Sequence, residues 1–172
     1  MRVEAIVLKK IPIREYDELL VCYTADFGKQ TYQAKSIQRS HSKQKSHLNT
    51  LNHASFGLIE TQQTPLVISA LCHNGFWQLR QSLPSLLLAN FVLECFDKLV
   101  FEAQTDPILW QFLLTTLREL DQLPVGYDRR SQYEHIQQQL VIALGYHPDT
   151  AVEELTQQSL WSSRSEFCNL SN

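Results

Sequence analysis

A change of hydrophobic period near Gly75 constrains the fold of this chain more than any other feature. Before it, apolar residues recur at every second position. After it, they recur at every third or fourth. In the first half Val3, Ala5 and Val7 face one way and Ile6 and Leu8 the other, until Lys9-Lys10 and Pro12 end the run. Leu19 to Thr24 is a short apolar and aromatic run, and Asp26-Phe27-Gly28-Lys29 follows as a turn in which Gly28 supplies the positive φ. Gln30 to Ala34 alternates again. After a polar stretch from Lys35 to Asn49, Ser55–Thr61 and Leu66–Leu71 read as two strands joined by a Gln-Gln-Thr-Pro turn. Short strands separated by turn signals predict a small all-β barrel or sandwich, and the five-stranded OB-fold barrel fits their number.

The second half reads as helices. Leu83, Leu86, Leu87, Phe91, Cys95 and Leu99 form a wide apolar stripe. Asp106-Pro107 predicts the next start, with Asp as N-cap and Pro at the first helical position. Ser131 with Glu134 has the spacing of a capping box before Ile136, Leu140, Val141 and Leu144, and Gly145 stands where a C-terminal cap belongs. Thr150 with Glu153 has the same spacing and predicts a short helix toward Leu160 and Trp161. The expected class is α+β, with an OB-fold nucleic-acid-binding domain over residues 1–75 and an all-α helical domain over 76–172.

Hydrophobic residues make up 44% of the 172 and charged residues 19%, a globular rather than a disordered balance. The formal net charge of −3, taken whole, argues against a nucleic-acid partner. Its distribution reverses that inference. Residues 1–75 carry nine basic and six acidic side chains, a net of +3, and residues 76–172 carry six and twelve, a net of −6. From Phe27 to Ile59 there is no acidic residue at all. That stretch holds Lys29, Lys35, Arg39, Lys43 and Lys45, with His41, His47 and His53 among them. A polyanion meets no repulsion there, and each cation set against a phosphate releases counterions. Tyr23, Phe27, Tyr32 and Phe56 lie on or beside the strands, and Tyr32 and Phe56 are the residues expected to stack unpaired bases.

Other chemistries find little support. His41, His47 and His53 step by six without a Cys pair, so no metal is expected, and no cofactor fingerprint or catalytic constellation occurs. Cys72 and His73 are strand neighbours and point to opposite faces. Glu15, Asp17 and Glu18 read as a solvated turn. The four Cys lack C-x-x-C spacing, no window resembles a signal peptide or membrane span, and a cytoplasmic location is the expectation. The helical half offers large aromatics and Arg80, Arg118, Arg129 and Arg130, a combination suited to an apolar, acidic peptide tail.

Several of these residues resemble a known family. Arg14-Glu15-Tyr16-Asp17-Glu18-Leu19-Leu20, followed by Tyr23-Thr24-Ala25-Asp26-Phe27-Gly28-Lys29, is similar to the opening of the bacterial RecO recombination-mediator family, with its R-E-Y-D element and T-x-x-x-G-K turn. Ala34-Lys35-Ser36, Arg39, Ser42-Lys43 and His47-Leu48 resemble the family's A-K-G-x-R-R…S-K/R…L segment. Leu144-Gly145-Tyr146-His147-Pro148-Asp149 is similar to its L-G-Y-x-P-x element. The sequence departs from the pattern at Ser36, where Gly is usual, and at Gln38, His41 and Gln44, which dilute the basic run. Many members carry a four-Cys zinc knuckle after the L-G-Y element. Residues 150–172 here hold only Cys168, and the chain is shorter than is usual for the family.

The resemblance implies an N-terminal OB-fold, a helical domain, and binding of single- and double-stranded DNA. It further implies annealing of complementary strands and help in loading a recombinase, with RecR and the acidic tail of the single-strand-binding protein as partners. The expected phosphate contacts are Lys29, Lys35, Arg39, Lys43 and Lys45, extended by Lys9, Lys10 and Arg14. The alternative is an interaction module whose helical domain docks that tail while the barrel binds DNA weakly or not at all. A small hydrolase is the third reading, and it lacks a catalytic cluster.

Overall fold

The computed structural model of the chain describes residues 1–35, 44–124 and 126–156. They pack as two compact units. One is Met1–Gly75 with Val100–Trp110, and the other is Phe76–Leu99 with the chain from Gln111 onward.

In the first unit five strands close into a barrel: β1 (Arg2–Pro12), β2 (Glu18–Thr24), β3 (Gly28–Ala34), β4 (His53–Ile59) and β5 (Leu66–Asn74). Their order is β1-β2-β3-β5-β4, with β4 returning to β1, and the N-terminal domain is an OB-fold. All pairings are antiparallel except the β3–β5 seam, which rests on one parallel register pair, Gln33 with Leu66. The Gln33 amide also donates to the Pro65 carbonyl at 2.9 Å. Alternate residues fill the interior: Val3, Ala5 and Val7 from β1, Leu20 and Cys22 from β2, Tyr32 and Ala34 from β3, and Ala54, Phe56 and Leu58 from β4. A 3-10 helix, Lys45–Leu48, adds Leu48 to this core. Each large apolar side chain so buried contributes about 1.5–3 kcal/mol.

One irregularity decides which lysines face solvent. Val7 is opposite Cys22, but Lys9 is opposite the next residue of β2, Val21, so β1 carries a bulge at Leu8. Strict alternation from Val7 would turn Lys9 inward and Lys10 outward. The extra residue reverses this, as bulges do when they re-aim a side chain. Lys9 is exposed, while Lys10 is opposite the core residue Leu20 and its ammonium pairs with the Glu18 carboxylate at 2.7 Å. The Glu18 side chain is only 5% exposed. The turn from Glu15 to Glu18, expected to be solvated throughout, therefore ends in a buried ion pair.

Val100–Trp110, which the sequence assigns to the helical half, packs on the barrel. The Ala103 amide donates to the Lys29 carbonyl at 3.0 Å, and the Thr105 hydroxyl donates to the Asp26 carbonyl at 3.3 Å. Trp110 stacks on Tyr23 with ring centroids 6.4 Å apart. The Tyr23 hydroxyl donates to the Asp106 carbonyl, and burial together with the Asp106 carboxylate pushes its pKa up to about 12. Gly28 has φ +64°, and a Cβ there would overlap the Gln104 backbone. Glu102 and Asp106 come with this segment, so the barrel unit's net charge falls from +3 to +1.

The helices are α1 (Trp77–Gln81), α2 (Leu83–Leu99), α3 (Pro107–Asp121), α4 (Arg129–Ala143) and α5 (Val152–Thr156). In the second unit the buried stripe of α2 includes Leu88, Phe91, Val92, Cys95 and Phe96. Leu113, Leu117 and Leu120 of α3 and Ile136, Leu140 and Val141 of α4 are buried as well. Phe91 meets Tyr133 at 4.8 Å and Phe96 stacks on Phe112 at 6.2 Å. Asp106 caps α3 as expected, accepting from the Ile108 amide at 2.8 Å. At α4 the cap is Asp128, not Ser131: Asp128 accepts from the Arg130 amide at 3.1 Å, and Glu134 is engaged by the Arg130 guanidinium at 3.0 Å. The helix starts one turn earlier because Asp128 reaches the orphan amides of the first turn. Gly145, at φ +84°, ends it as predicted. Among the described residues no helix is long and apolar enough to cross a membrane.

Two substitutions test this account. Gly28→Ala should destabilise the barrel by about 2 kcal/mol or more in urea unfolding, from the left-handed backbone and the overlap with Gln104. Lys10→Met should cost about 3 kcal/mol by leaving the Glu18 carboxylate buried without its cation, and Lys10→Met with Glu18→Leu should recover most of that loss.

Candidate nucleic-acid interface

The outer surface of β1, β2 and β3 follows from the register. Lys9 is opposite Val21, and Val21 is opposite Thr31. Ile11 is opposite Leu19, which is opposite Gln33. Tyr23 is opposite Lys29. All alternate with core residues and so face outward. Trp110 covers Tyr23. At the other end of β3, about 20 Å from Lys29 at a strand's rise per residue, the next residue is the exposed Lys35.

That end is a rim made by three segments. Pro12 is opposite Glu18 and Glu18 is opposite Ala34, so the β1–β2 loop lies beside the end of β3. Gln33 pairs with Leu66 and bonds to Pro65, which brings in the β4–β5 loop. In the β1–β2 loop the amides of Ile13 and Arg14 both donate to the Asp17 carbonyl, at 3.1 and 3.5 Å. This tight turn carries exposed Arg14, Glu15 and Tyr16. OB-folds use this strand face and these two loops for oligonucleotides. The charge of the rim is mixed. Arg14 and Lys35 stand with Glu15, Asp17 and Glu60, and the Glu18 carboxylate is turned inward onto Lys10.

The residues expected to contact nucleic acid do not all share this surface. Lys9, Lys29, Lys35 and Arg14 do. Lys10 is held by Glu18. Lys45 is exposed on the 3-10 helix, which is tied to β5: the Gln44 amide donates to the Ile68 carbonyl at 2.7 Å, and the Cys72 amide to His47 Nδ1 at 3.2 Å. Lys45 thus stands beside β5 rather than on the β1–β2–β3 face. Arg39 and Lys43 lie outside the described residues.

Tyr32 and Phe56 are not stacking platforms. They are 2% and 0% exposed and meet edge to face at 6.2 Å inside the barrel. They alternate in phase with the core residues Ala34 and Leu58, which turns them inward. Burial raises the pKa of the Tyr32 hydroxyl and of the neighbouring Cys22 thiol, so both stay protonated and inert. The exposed aromatics of the barrel strands and their turns are instead Tyr16, 40% exposed, and Phe27, 39% exposed. Tyr16 is not among the residues singled out from the sequence, although it sits in the R-E-Y-D element. Its signal was a bulky side chain between charged residues in a turn, where no core is within reach. The outer surface of β4 and β5 carries other pairs, His53 with Glu4 at 2.5 Å and Ser55 with His73 at 2.6 Å. Among the described residues no group of His, Cys, Asp or Glu is arranged to hold a metal ion.

In the helical unit the four candidate arginines gather at one end. The Leu79 amide donates to Asp121 Oδ1 at 2.8 Å, placing α1 and Arg80 beside the end of α3 that carries the exposed Arg118. The hydroxyls of Ser85 and Tyr127 meet at 3.3 Å, placing the start of α2 beside the start of α4, where Arg129 and Arg130 are exposed. Trp77 and Leu83 at that end are 72% and 62% exposed.

Comparison with known proteins bears on the family of the chain. The family model for the recombination protein O N-terminal domain matches residues 1–69. A DNA repair protein RecO of Dehalococcoides mccartyi is 27% identical over 148 residues, 86% of this chain and 57% of that protein. A Listeria welshimeri protein of the same name is 25% identical over 84% of this chain and 56% of its own length. Another, from Desulforudis audaxviator, is 31% identical over 72% of this chain and 51% of its own length. The chain spans about half the length of the curated relatives it matches. The barrel topology, the family match over its strands and the relatives aligned across most of the sequence lead to one conclusion: the chain belongs to the RecO family.

Proposed function

We propose that this chain is a non-enzymatic DNA-binding protein of recombinational DNA repair. On this reading it binds single- and double-stranded DNA, anneals complementary strands and assists recombinase loading. The observation that carries the proposal is the outer β1–β2–β3 face, where Lys9, Lys29 and Lys35 stand on or beside one surface with Arg14 at its rim. Cations spaced along such a face neutralise phosphates of a strand laid across it. Two strands so neutralised approach closely enough to pair. Lys45, with Arg39 and Lys43, extends the proposed contacts through the segment after β3. The relatives named DNA repair protein RecO support the same assignment, and RecR is the proposed protein partner.

A second reading has its own support. The cluster of Arg80, Arg118, Arg129 and Arg130 around exposed Trp77 and Leu83 has the chemistry that takes an acidic, apolar peptide. We propose the tail of the single-strand-binding protein as its ligand. This role is compatible with DNA binding by the barrel.

The test is binding of labelled single-stranded DNA across a salt series. Log affinity should fall against log salt with a slope of about −0.7 per phosphate contact. Lys9→Glu and Lys35→Glu should each weaken binding severalfold and flatten the slope, with stability unchanged. A slope near zero, or unchanged affinity in both variants, contradicts the proposal.

A further inference from the structure

We infer that Tyr16 stacks on an unpaired base and thereby favours single-stranded over double-stranded DNA. The inference rests on the DNA-binding reading and adds to it the element that recognises bases.

The β1–β2–β3 face offers cations but no uncovered aromatic ring. Tyr32 points into the core and Tyr23 lies under Trp110. Phosphate contacts alone do not distinguish a single strand from a duplex by its bases. A ring that does so must be exposed and close to the cations that hold the backbone. Tyr16 meets both conditions. It is 40% exposed, in the same tight turn as Arg14, and that turn lies at the end of the barrel where Lys35 follows β3. Two amides on one carbonyl close the turn, so little backbone freedom is lost when a base docks. Bases within a duplex are already stacked on their neighbours, so only an unpaired base can lie on the ring.

Phe27, the comparable ring at the opposite end of β3, is poorly placed. It follows the exposed Asp26, and its nearest strand cation is Lys29, whose backbone pairs with that of Glu102. Phosphates flanking a base on Phe27 would find one cation, Lys29, where the rim at Tyr16 offers two. At Tyr16 the flanking phosphates meet Arg14 and Lys35, with Glu15, Asp17 and Glu60 as the opposing charges.

The experiment measures binding of labelled oligo(dT) and of a labelled duplex by the full chain and its variants. Tyr16→Ala should lower affinity for oligo(dT) by about tenfold and leave duplex affinity within about twofold. Tyr16→Phe should bind both as the unsubstituted protein does. Equal losses on oligo(dT) and duplex in Tyr16→Ala would overturn the stacking role. So would unchanged oligo(dT) affinity in Tyr16→Ala while Lys35→Glu is weakened, and in that case the DNA-binding reading survives. If the unsubstituted chain binds neither probe, both readings fail.

Discussion

The bulge in β1 is the constraint on which the rest of the barrel depends. Without the extra residue at Leu8, Lys10 and Glu18 would not meet inside the barrel, and Lys9 would be driven toward Leu20 and Cys22. With it, adjacent lysines serve opposite purposes. Lys10 pairs with a buried carboxylate, and leaving that carboxylate without its cation costs several kcal/mol. Lys9 joins Lys29 on the outer face. The same pairing holds the end of the β1–β2 loop against the end of β3, because Glu18 is opposite both Pro12 and Ala34. That rim presents Arg14, Tyr16 and Lys35 together.

The second determinant is the segment Val100–Trp110. It covers the outer side of Tyr23 and bonds to the backbone of β3 and its preceding turn. One end of the outer face is thereby closed by Trp110 and Gln104, and the other end is left to solvent. Glu102 and Asp106 also bring negative charge to the covered end.

Much of this was legible in the sequence, for physical reasons that differ by element. The strands alternate because their inner residues are apolar, and Gly28 marks its turn because only a residue without Cβ fits against Gln104. The caps at Asp106 and Gly145 were readable because they are local. What escaped was non-local or one residue wide. A bulge has no signature in a run such as Val-Leu-Lys-Lys, so Lys9 and Lys10 looked equivalent. Tyr32 and Phe56 looked available because strand direction is visible in sequence while the inward side of a barrel is not. Asp128 won over Ser131 because a few residues of helix boundary turn on which side chain reaches the amides first.

On the proposed reading, DNA lies on the outer β1–β2–β3 face and its Arg14–Lys35 rim. The most direct measurement is an amide NMR titration of the chain with single-stranded DNA. Shifts should be concentrated at Lys9, Thr31, Gln33, Lys35 and the Arg14–Tyr16 turn, with smaller ones around Lys45 beside β5. Shifts centred on Ser55, Leu71 and His73, with the β3 amides unchanged, would contradict that reading.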